Sequence, residues 1–293
     1  VLERGKTTMK GPHQGGWIHT KYSEDWFIHF QDKGPYGRVC HLQPVDWSSG
    51  WPVMGNAGEP YWKFRKPKSD SKTIVNPVET DEFDSSKLGM QWQWQNDYKE
   101  SYGQATSMGF FRLFTYALPE LGDVSNLWYV PNMLLQKIPA DEFTATTKLG
   151  FWSRNSDQYV GLVCMSAEYS SVGLQRTEDG YELQIRHNPN AMRTHLTDEV
   201  LTVDTLKPTQ KGTPRKGRPA EMHIKDVYLR MSIKDSKVNY AYSIDGKKWK
   251  KAGGEYAMGK GRWIGSKIGF FAVDPNKTGR KGFIDIDWVR VSR

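Results

Sequence analysis

The chain has 293 residues, with 41 lysines and arginines against 33 aspartates and glutamates and a net charge of +8. This length can bury one large hydrophobic core or two ordinary ones. The basic residues are spread along the chain without a nucleic-acid-binding motif, which argues against nucleic acid as a partner, and no apolar run is long enough to span a bilayer.

The composition favours an all-β protein. There are 12 Trp, 14 Tyr and 12 Phe, with 28 Gly and 15 Pro to form turns. Apolar residues alternate in short segments, and sustained helical periodicity is missing from the sequence. Cys40 and Cys164 lie in apolar strand patterns, so we expect two buried free thiols and no disulfide.

The first sixty residues carry the most informative motifs. The turn GPHQGGW at 11–17 is followed by EDWFIHFQD at 24–32, GRVCHLQPV at 37–45 and GWPV at 50–53. In this order the four segments resemble the last blade of the five-bladed β-propeller of glycoside hydrolase family 43, the β-xylosidases and α-L-arabinofuranosidases. The resemblance implies that residues 1–60 are the C-terminal portion of a propeller catalytic domain.

The rest of the chain reads as a linker and a second module. Residues 61–82 are charged and contain Pro and Ser, which is typical of a linker. Residues 83–293 resemble the concanavalin-like two-sheet β-sandwich (jelly roll) that follows the propeller in many family 43 β-xylosidases. Asp245-Gly246 between two strand patterns predicts a hairpin, and alternation predicts strands also at Leu88–Gln95. The other predicted strands are 110–116, 134–138, 143–151, 159–165, 172–175, 181–186, 227–233, 238–244, 267–273 and 283–291.

The catalytic carboxylates implied by the resemblance are not found in this chain. Members of the family use an inverting pair, an Asp base and a Glu acid, on earlier blades. Glu59 in Gly58-Glu59-Pro60 looks like the acid motif but follows the last blade strand, so we interpret it as structural. We therefore expect the chain alone to be inactive. We expect the missing N-terminal blades either upstream in the same polypeptide or as a tightly associated second chain.

Arg38 lies where the resembled β-xylosidases place an arginine facing the sugar. A guanidinium is planar and always charged, and it can bridge sugar hydroxyls and a catalytic carboxylate. The alternative is an arginine at a strand edge that pairs with a surface acid.

His13 and Gln14 stand where the family has a histidine near the propeller axis, in contact with substrate or with a central Ca²⁺ and its waters. Histidine is an unusual Ca²⁺ ligand because hard cations prefer oxygen, so Gln14 and water would supply the oxygens. His13 as a metal ligand and His13 as a hydrogen-bonded core residue both remain open. His29 and His41 alternate with apolar neighbours and are interpreted as structural.

Trp263 lies in a segment that resembles the one from which family members send an aromatic residue over the pocket. An indole there would stack on a sugar face and exclude water, whereas the alternative is a Trp that fills the sandwich core. Arg262 and Gly265 on either side predict a loop end, which favours a position outside the core.

The sequence thus predicts the C-terminal part of a glycoside hydrolase that acts on xylosyl or arabinofuranosyl linkages of plant cell-wall polysaccharides. A non-catalytic carbohydrate-binding protein and a structural β-sandwich module are the alternatives, and fold analogy alone does not choose among them. The expected partner is a xylan- or arabinan-derived oligosaccharide. A periplasmic or secreted location is favoured over a cytoplasmic one.

Overall fold

The computed structural model describes residues 2–10, 12, 14–118, 126–193, 197–215, 217–261, 263–276 and 278–293. These residues form two compact units. The first comprises Val1–Asn76 with Gly261–Gly265, and the second comprises Pro77–Lys260 with Ser266–Arg293. The boundary after Asn76 falls inside the segment predicted as a linker.

The first unit is built on one antiparallel sheet whose four strands are hydrogen-bonded in chain order. Aromatic and β-branched residues favour extended backbone in these segments. The register places Trp17 opposite Phe27, and Phe30 opposite Cys40. The strands are β1 (Gly16–His19), β2 (Asp25–Asp32), β3 (Arg38–Asp46) and β4 (Val53–Met54).

Much of the apolar surface of this four-stranded sheet is exposed. Trp17 is 60% exposed and Trp51 is 66% exposed, and Val39 and Leu42 on β3 are each 37% exposed. Cys40 lies between them and is exposed as well, so the prediction that this thiol is buried was wrong. The apolar neighbours of Cys40 have no second sheet packed on them among the described residues of this unit.

The second unit contains sixteen short strands among its described residues. The described helices of the chain are three 3₁₀ turns, at Gly34–Tyr36, Glu100–Tyr102 and Leu127–Tyr129, and none is long and apolar enough to cross a membrane. The strands are β5 (Gln93–Trp94), β6 (Gly103–Ala105), β7 (Phe111–Phe114), β8 (Tyr116–Ala117), β9 (Leu134–Lys137), β10 (Phe143–Ser153), β11 (Tyr159–Met165), β12 (Tyr169–Arg176), β13 (Tyr181–Asn188), β14 (Glu199–Leu206), β15 (Gln210–Lys211), β16 (Met222–Lys234), β17 (Lys237–Ser243), β18 (Lys250–Ala257), β19 (Lys267–Asp274) and β20 (Phe283–Ser292).

These strands form the two sheets of a β-sandwich. Sheet I has the order β18-β17-β16-β10-β20-β7-β6, with β15 paired to β16. Sheet II has the order β14-β13-β12-β11-β19-β9-β5, with the short β8 parallel to β19. Neighbours that are distant in sequence, such as β10 and β20, show the strand crossovers of a jelly roll rather than a simple meander. The predicted all-β fold class is confirmed.

The core lies between the two sheets. Every second residue of β10 from Phe143 to Ser153 is buried, and the residues between them are half-buried on the outer face. Inner-face tyrosines cross the core and satisfy their hydroxyls there, as buried polar groups must. Tyr240 on sheet I donates to the Ser170 carbonyl at 2.7 Å, and the Tyr181 hydroxyl lies 3.0 Å from Ser153 Oγ.

Most predicted sandwich strands are present, and the failures occur at sheet edges and turns. The edge strands of the two sheets are β18 and β6, and β14 and β5; of these, β18, β6 and β14 were not predicted. The strand predicted over Leu88–Gln95 was wrong except for Gln93–Trp94, because the Trp92 N–H closes a turn onto Gly89 at 3.2 Å.

His223 on β16 makes the sandwich sensitive to acid. It is 4% exposed, and its pKa is lowered from 6.5 to about 4. Burial is the main cause; the charge of Lys225 lowers the pKa further, and that of Asp226 raises it by less. Between these values the unfolded chain binds more protons than the folded one, so the free energy of unfolding falls as the pH falls through this window. The free energy of unfolding falls by at most about 3 kcal/mol over this pH range.

We therefore expect His223→Phe, which keeps an aromatic ring at this position, to reduce the drop in Tm between pH 7 and pH 4. Thermal unfolding followed by circular dichroism in matched buffers tests this. An equal drop in both proteins would contradict the assignment.

Candidate functional site

Arg38 is placed by a tight turn at the start of β3. The 3₁₀ turn Gly34–Tyr36 ends at Gly37, whose φ of +74° is a backbone conformation that favours glycine. The Lys33 N–H donates to the Gly37 carbonyl at 2.8 Å, and β3 then pairs with β2 so that Arg38 lies opposite Asp32. The turn fixes the point at which the guanidinium leaves the sheet.

The guanidinium of Arg38 is half-buried between aromatic rings. Its central carbon lies 4.2 Å from the centre of the Phe30 ring and 5.3 Å from that of Trp263. Its Nη1 lies 3.5 Å from Gln14 Oε1, and its buried Nε has no hydrogen-bond partner in the described part of the chain. No ion pair joins Arg38 to any described acid, so the strand-edge alternative lacks its expected partner.

Trp263 comes to Arg38 from the loop between β18 and β19. Its carbonyl accepts a hydrogen bond from the Arg38 N–H at 2.8 Å. Its side chain is 66% exposed, so the indole does not fill the sandwich core. The two segments approach closely because Gly37 and Gly265 lie back to back. A Cβ on Gly265 would stand 2.6 Å from the Gly37 nitrogen.

Gln14 is exposed and has a φ of +54°. His13 lies outside the described residues, so its predicted contact with substrate or metal stays a prediction. Gln14 Oε1 faces the positive guanidinium of Arg38, which disfavours a cation at that oxygen. No group of three or more His, Cys, Asp or Glu able to hold a metal occurs among the described residues. The Ca²⁺ expected near the propeller axis therefore stays a prediction.

Three of the four predicted site residues thus meet in one unit. Arg38, Gln14 and Trp263 combine the N–H groups of a guanidinium, an amide and an exposed ring face. A pyranose or furanose presents hydroxyls at its rim and C–H groups on its faces, which this combination matches. Phe30 was missed as the second ring on Arg38. The strand register would have indicated this contact. It pairs Phe30 with Cys40 and Asp32 with Arg38, so Phe30 is the diagonal neighbour of Arg38 on the adjacent strand.

The described carboxyl groups of the first unit do not behave as a general acid. Such an acid needs a raised pKa, whereas the pKa values of Glu24, Asp25, Asp46 and Asp70 are lowered. Glu24 is buried, and the Lys68 N–H, the Arg65 guanidinium and the Trp26 indole lower its pKa. Glu59 is held in a turn by backbone bonds to Asn56 and packs on Gly5. Both are structural.

One described carboxyl group in the second unit, Asp198, has a raised pKa, and burial is the main cause. It accepts hydrogen bonds from the Tyr169 hydroxyl and from Asn188. These partners tie it into the sandwich.

His29 and His41 face each other across β2 and β3 with ring centres 5.4 Å apart. Burial lowers the pKa of both, so both are neutral at neutral pH. Their stacking fits the structural role predicted for them.

Known proteins resemble the chain along nearly its whole length. It is 30% identical over 276 residues to a candidate β-xylosidase of Xylanibacter ruminicola, covering 92% of this chain and 46% of that protein. It is 27% identical to a β-xylosidase of Formosa agariphila, covering 98% of this chain and 49% of that protein. The chain thus spans about half the length of these curated relatives.

The fold also matches solved structures. A xylan β-1,4-xylosidase from Bacillus halodurans C-125 superposes with a TM-score of 0.76 at 18% identity, covering 100% of this chain and 56% of that one. The family model for the β-xylosidase C-terminal concanavalin A-like domain matches residues 80–292. The resemblance to glycoside hydrolase family 43 is confirmed, and the chain belongs to the family of the β-xylosidase C-terminal concanavalin A-like domain.

Proposed function

We propose that the protein containing this chain hydrolyses xylosyl or arabinofuranosyl linkages of plant cell-wall polysaccharides. The mechanism is inverting, and the acid and base lie outside this chain. The two relatives described above are named as a candidate β-xylosidase and a β-xylosidase, which supports the substrate class. A polymeric substrate fits a periplasmic or secreted protein.

The observation that carries this proposal is the convergence of Arg38, Gln14 and Trp263 in the first unit. Trp263 lies 225 positions after Arg38, yet its carbonyl and its ring both contact it. A guanidinium beside an exposed indole is suited to hold a sugar ring while a carboxylate outside the chain acts on the glycosidic carbon. In this role Arg38 binds and orients substrate.

The missing blades of the propeller are the partner proposed for the four-stranded sheet. Large exposed apolar patches mark surfaces that another protein segment covers. Trp17, Trp47 and Trp51 are between 42% and 66% exposed on or beside this sheet. A blade supplied by the same polypeptide or by a second chain would bury them.

The test is hydrolysis by the full-length protein of aryl β-xyloside and aryl α-L-arabinofuranoside, with the anomer of the first product read by proton NMR. We expect turnover of at least one substrate with inversion. Retention of configuration would contradict the mechanism. Binding of xylo-oligosaccharides without any turnover would identify a non-catalytic carbohydrate-binding protein instead.

A further inference from the structure

The outer face of sheet I contains a groove that the site around Arg38 does not use. It lies on β7, β10, β16 and β20, wholly within the second unit, and has a volume of about 550 Å³. Its floor is Gly150, at an outward position of β10 between Lys148 and Trp152. Because glycine has no side chain, the sheet is open at this point. The volume falls in the range of about 300–1,000 Å³ found for small-ligand sites.

Aromatic rings form one side of the groove. Trp152 is paired with His223 on β16 and with Phe283 on β20. The Trp152 and His223 rings stack with centres 3.6 Å apart, and Phe283 follows at 6.0 Å from Trp152. Phe110 and the exposed Met108 also line the groove. These groups offer apolar surface to the C–H groups of a ligand.

Most charged groups of the groove form ion pairs with each other or with a neighbour of the groove. Arg112 donates two hydrogen bonds to Asp285, at 2.7 and 2.8 Å. Arg154 lies 3.7 Å from Glu221. Lys148, beside the groove, binds both Asp226 and Asp287, at 2.9 and 2.7 Å. Acceptors and donors therefore lie side by side with little net charge.

This pairing selects the chemistry of the ligand. The lining has four acidic and three basic side chains, so it offers a phosphate or carboxylate no net positive charge. A pair of neighbouring hydroxyls both donates and accepts, and it is complementary to a carboxylate beside a guanidinium. The groove therefore fits a neutral polyhydroxyl compound with apolar C–H faces.

His223 places a ring nitrogen at the floor of the groove. Its side chain is 4% exposed and its ring stacks on Trp152. Its Nε2 lies 3.4 Å from the place of a Cβ on Gly150. A sugar hydroxyl that lies over Gly150 would approach this nitrogen, which can donate or accept a hydrogen bond.

We propose that this groove is a carbohydrate-binding site of the sandwich itself, which takes a short stretch of neutral pyranose units. The choice of xylan as the polymer rests on the proposed function, but the site itself needs no catalytic group. It would hold the polymer to the enzyme while chain ends are hydrolysed elsewhere in the protein.

The test is affinity electrophoresis of the full-length protein in gels that contain soluble neutral arabinoxylan. We expect retardation of the wild type, and a Kd at least tenfold weaker for Trp152→Ala. Trp288→Ala is the matched control, since it removes the same side chain from the same sheet but outside the groove lining. It should bind like the wild type. Hydrolysis of aryl glycosides should be unchanged in both variants.

Gly150→Val is a second variant that blocks the groove, and it tests the proposal even if Trp152→Ala fails to fold. Valine favours extended backbone, and its Cβ would lie 3.4 Å from His223 Nε2 and from the Ile224 carbonyl, so the side chain fills the groove without a large clash. We expect an unchanged Tm with lost retardation. Equal retardation of wild type, Gly150→Val and Trp152→Ala, or no retardation of the wild type, would overturn the proposal. Retardation by a protein that hydrolyses no aryl glycoside would leave the groove standing and remove only the proposed function.

Discussion

Replacing Arg38 by alanine in the full-length protein should lower kcat/KM for aryl glycosides by a factor of about 10² or more. Loss of a charged hydrogen bond to the transition state raises the activation free energy by several kcal/mol. Arg38→Lys should recover part of the loss, because lysine keeps the charge but cannot present the planar fork that packs on Phe30 and Trp263. Steady-state kinetics with both variants measure the effect.

The control for this variant is Arg4→Ala. Arg4 belongs to the same unit and its Nε donates to the Thr7 carbonyl on an exposed turn. It should keep wild-type kinetics and a similar Tm. If Arg38→Ala also has unchanged kinetics, Arg38 does not face the sugar.

Gly265→Ala should lower both Tm and kcat/KM. Its φ of +76° costs about 1–2 kcal/mol for any residue with a side chain. The added Cβ would also stand 2.6 Å from the Gly37 nitrogen and the Tyr36 carbonyl carbon, so the loop must move away from Arg38. Because Trp263 moves with the loop, we expect a loss of kcat/KM of about tenfold, similar to that of Trp263→Ala.

Gly34→Ala separates backbone strain from displacement of the loop. Gly34 has a φ of +60°, and an added Cβ would meet no atom within 4 Å. This variant should lose only the stability that the positive φ costs, because it lacks the clash, and it should keep its kcat/KM. Equal kinetics in the two variants would show that the position of Trp263 does not matter for the reaction.

The sandwich was predictable where its strands have two neighbours. Tyr159–Met165 was predicted with its observed bounds, because apolar residues continue through a strand that is buried on both faces. The edge strand Lys250–Ala257 was missed. It carries two adjacent glycines and charged residues, and its pairing with β17 shifts register after Asn239. One-sided pairing needs less of the apolar pattern that marks a strand.

The sequence indicated individual residues of the candidate site but not their arrangement in space. The resemblance in GPHQGGW and GRVCHLQPV identified Gln14 and Arg38, and a separate resemblance identified Trp263. Their meeting depends on the close approach of Gly37 and Gly265, which follows from two turns of positive φ far apart in sequence. For Cys40 the predicted burial was wrong. An alternating apolar pattern predicts burial only when another layer of the protein covers the strand.

The most direct test of the central claim compares residues 1–293 alone with the full-length protein. Both are assayed on aryl β-xyloside and aryl α-L-arabinofuranoside, and circular dichroism verifies that the shorter protein keeps its β-sandwich. Under the proposed function the chain contributes substrate-positioning residues and the acid–base pair lies outside it, so we expect no turnover by residues 1–293 and measurable turnover by the full-length protein. Robust turnover by residues 1–293 alone would contradict this account and would require an acid and a base among the carboxyl groups assigned here to structural roles.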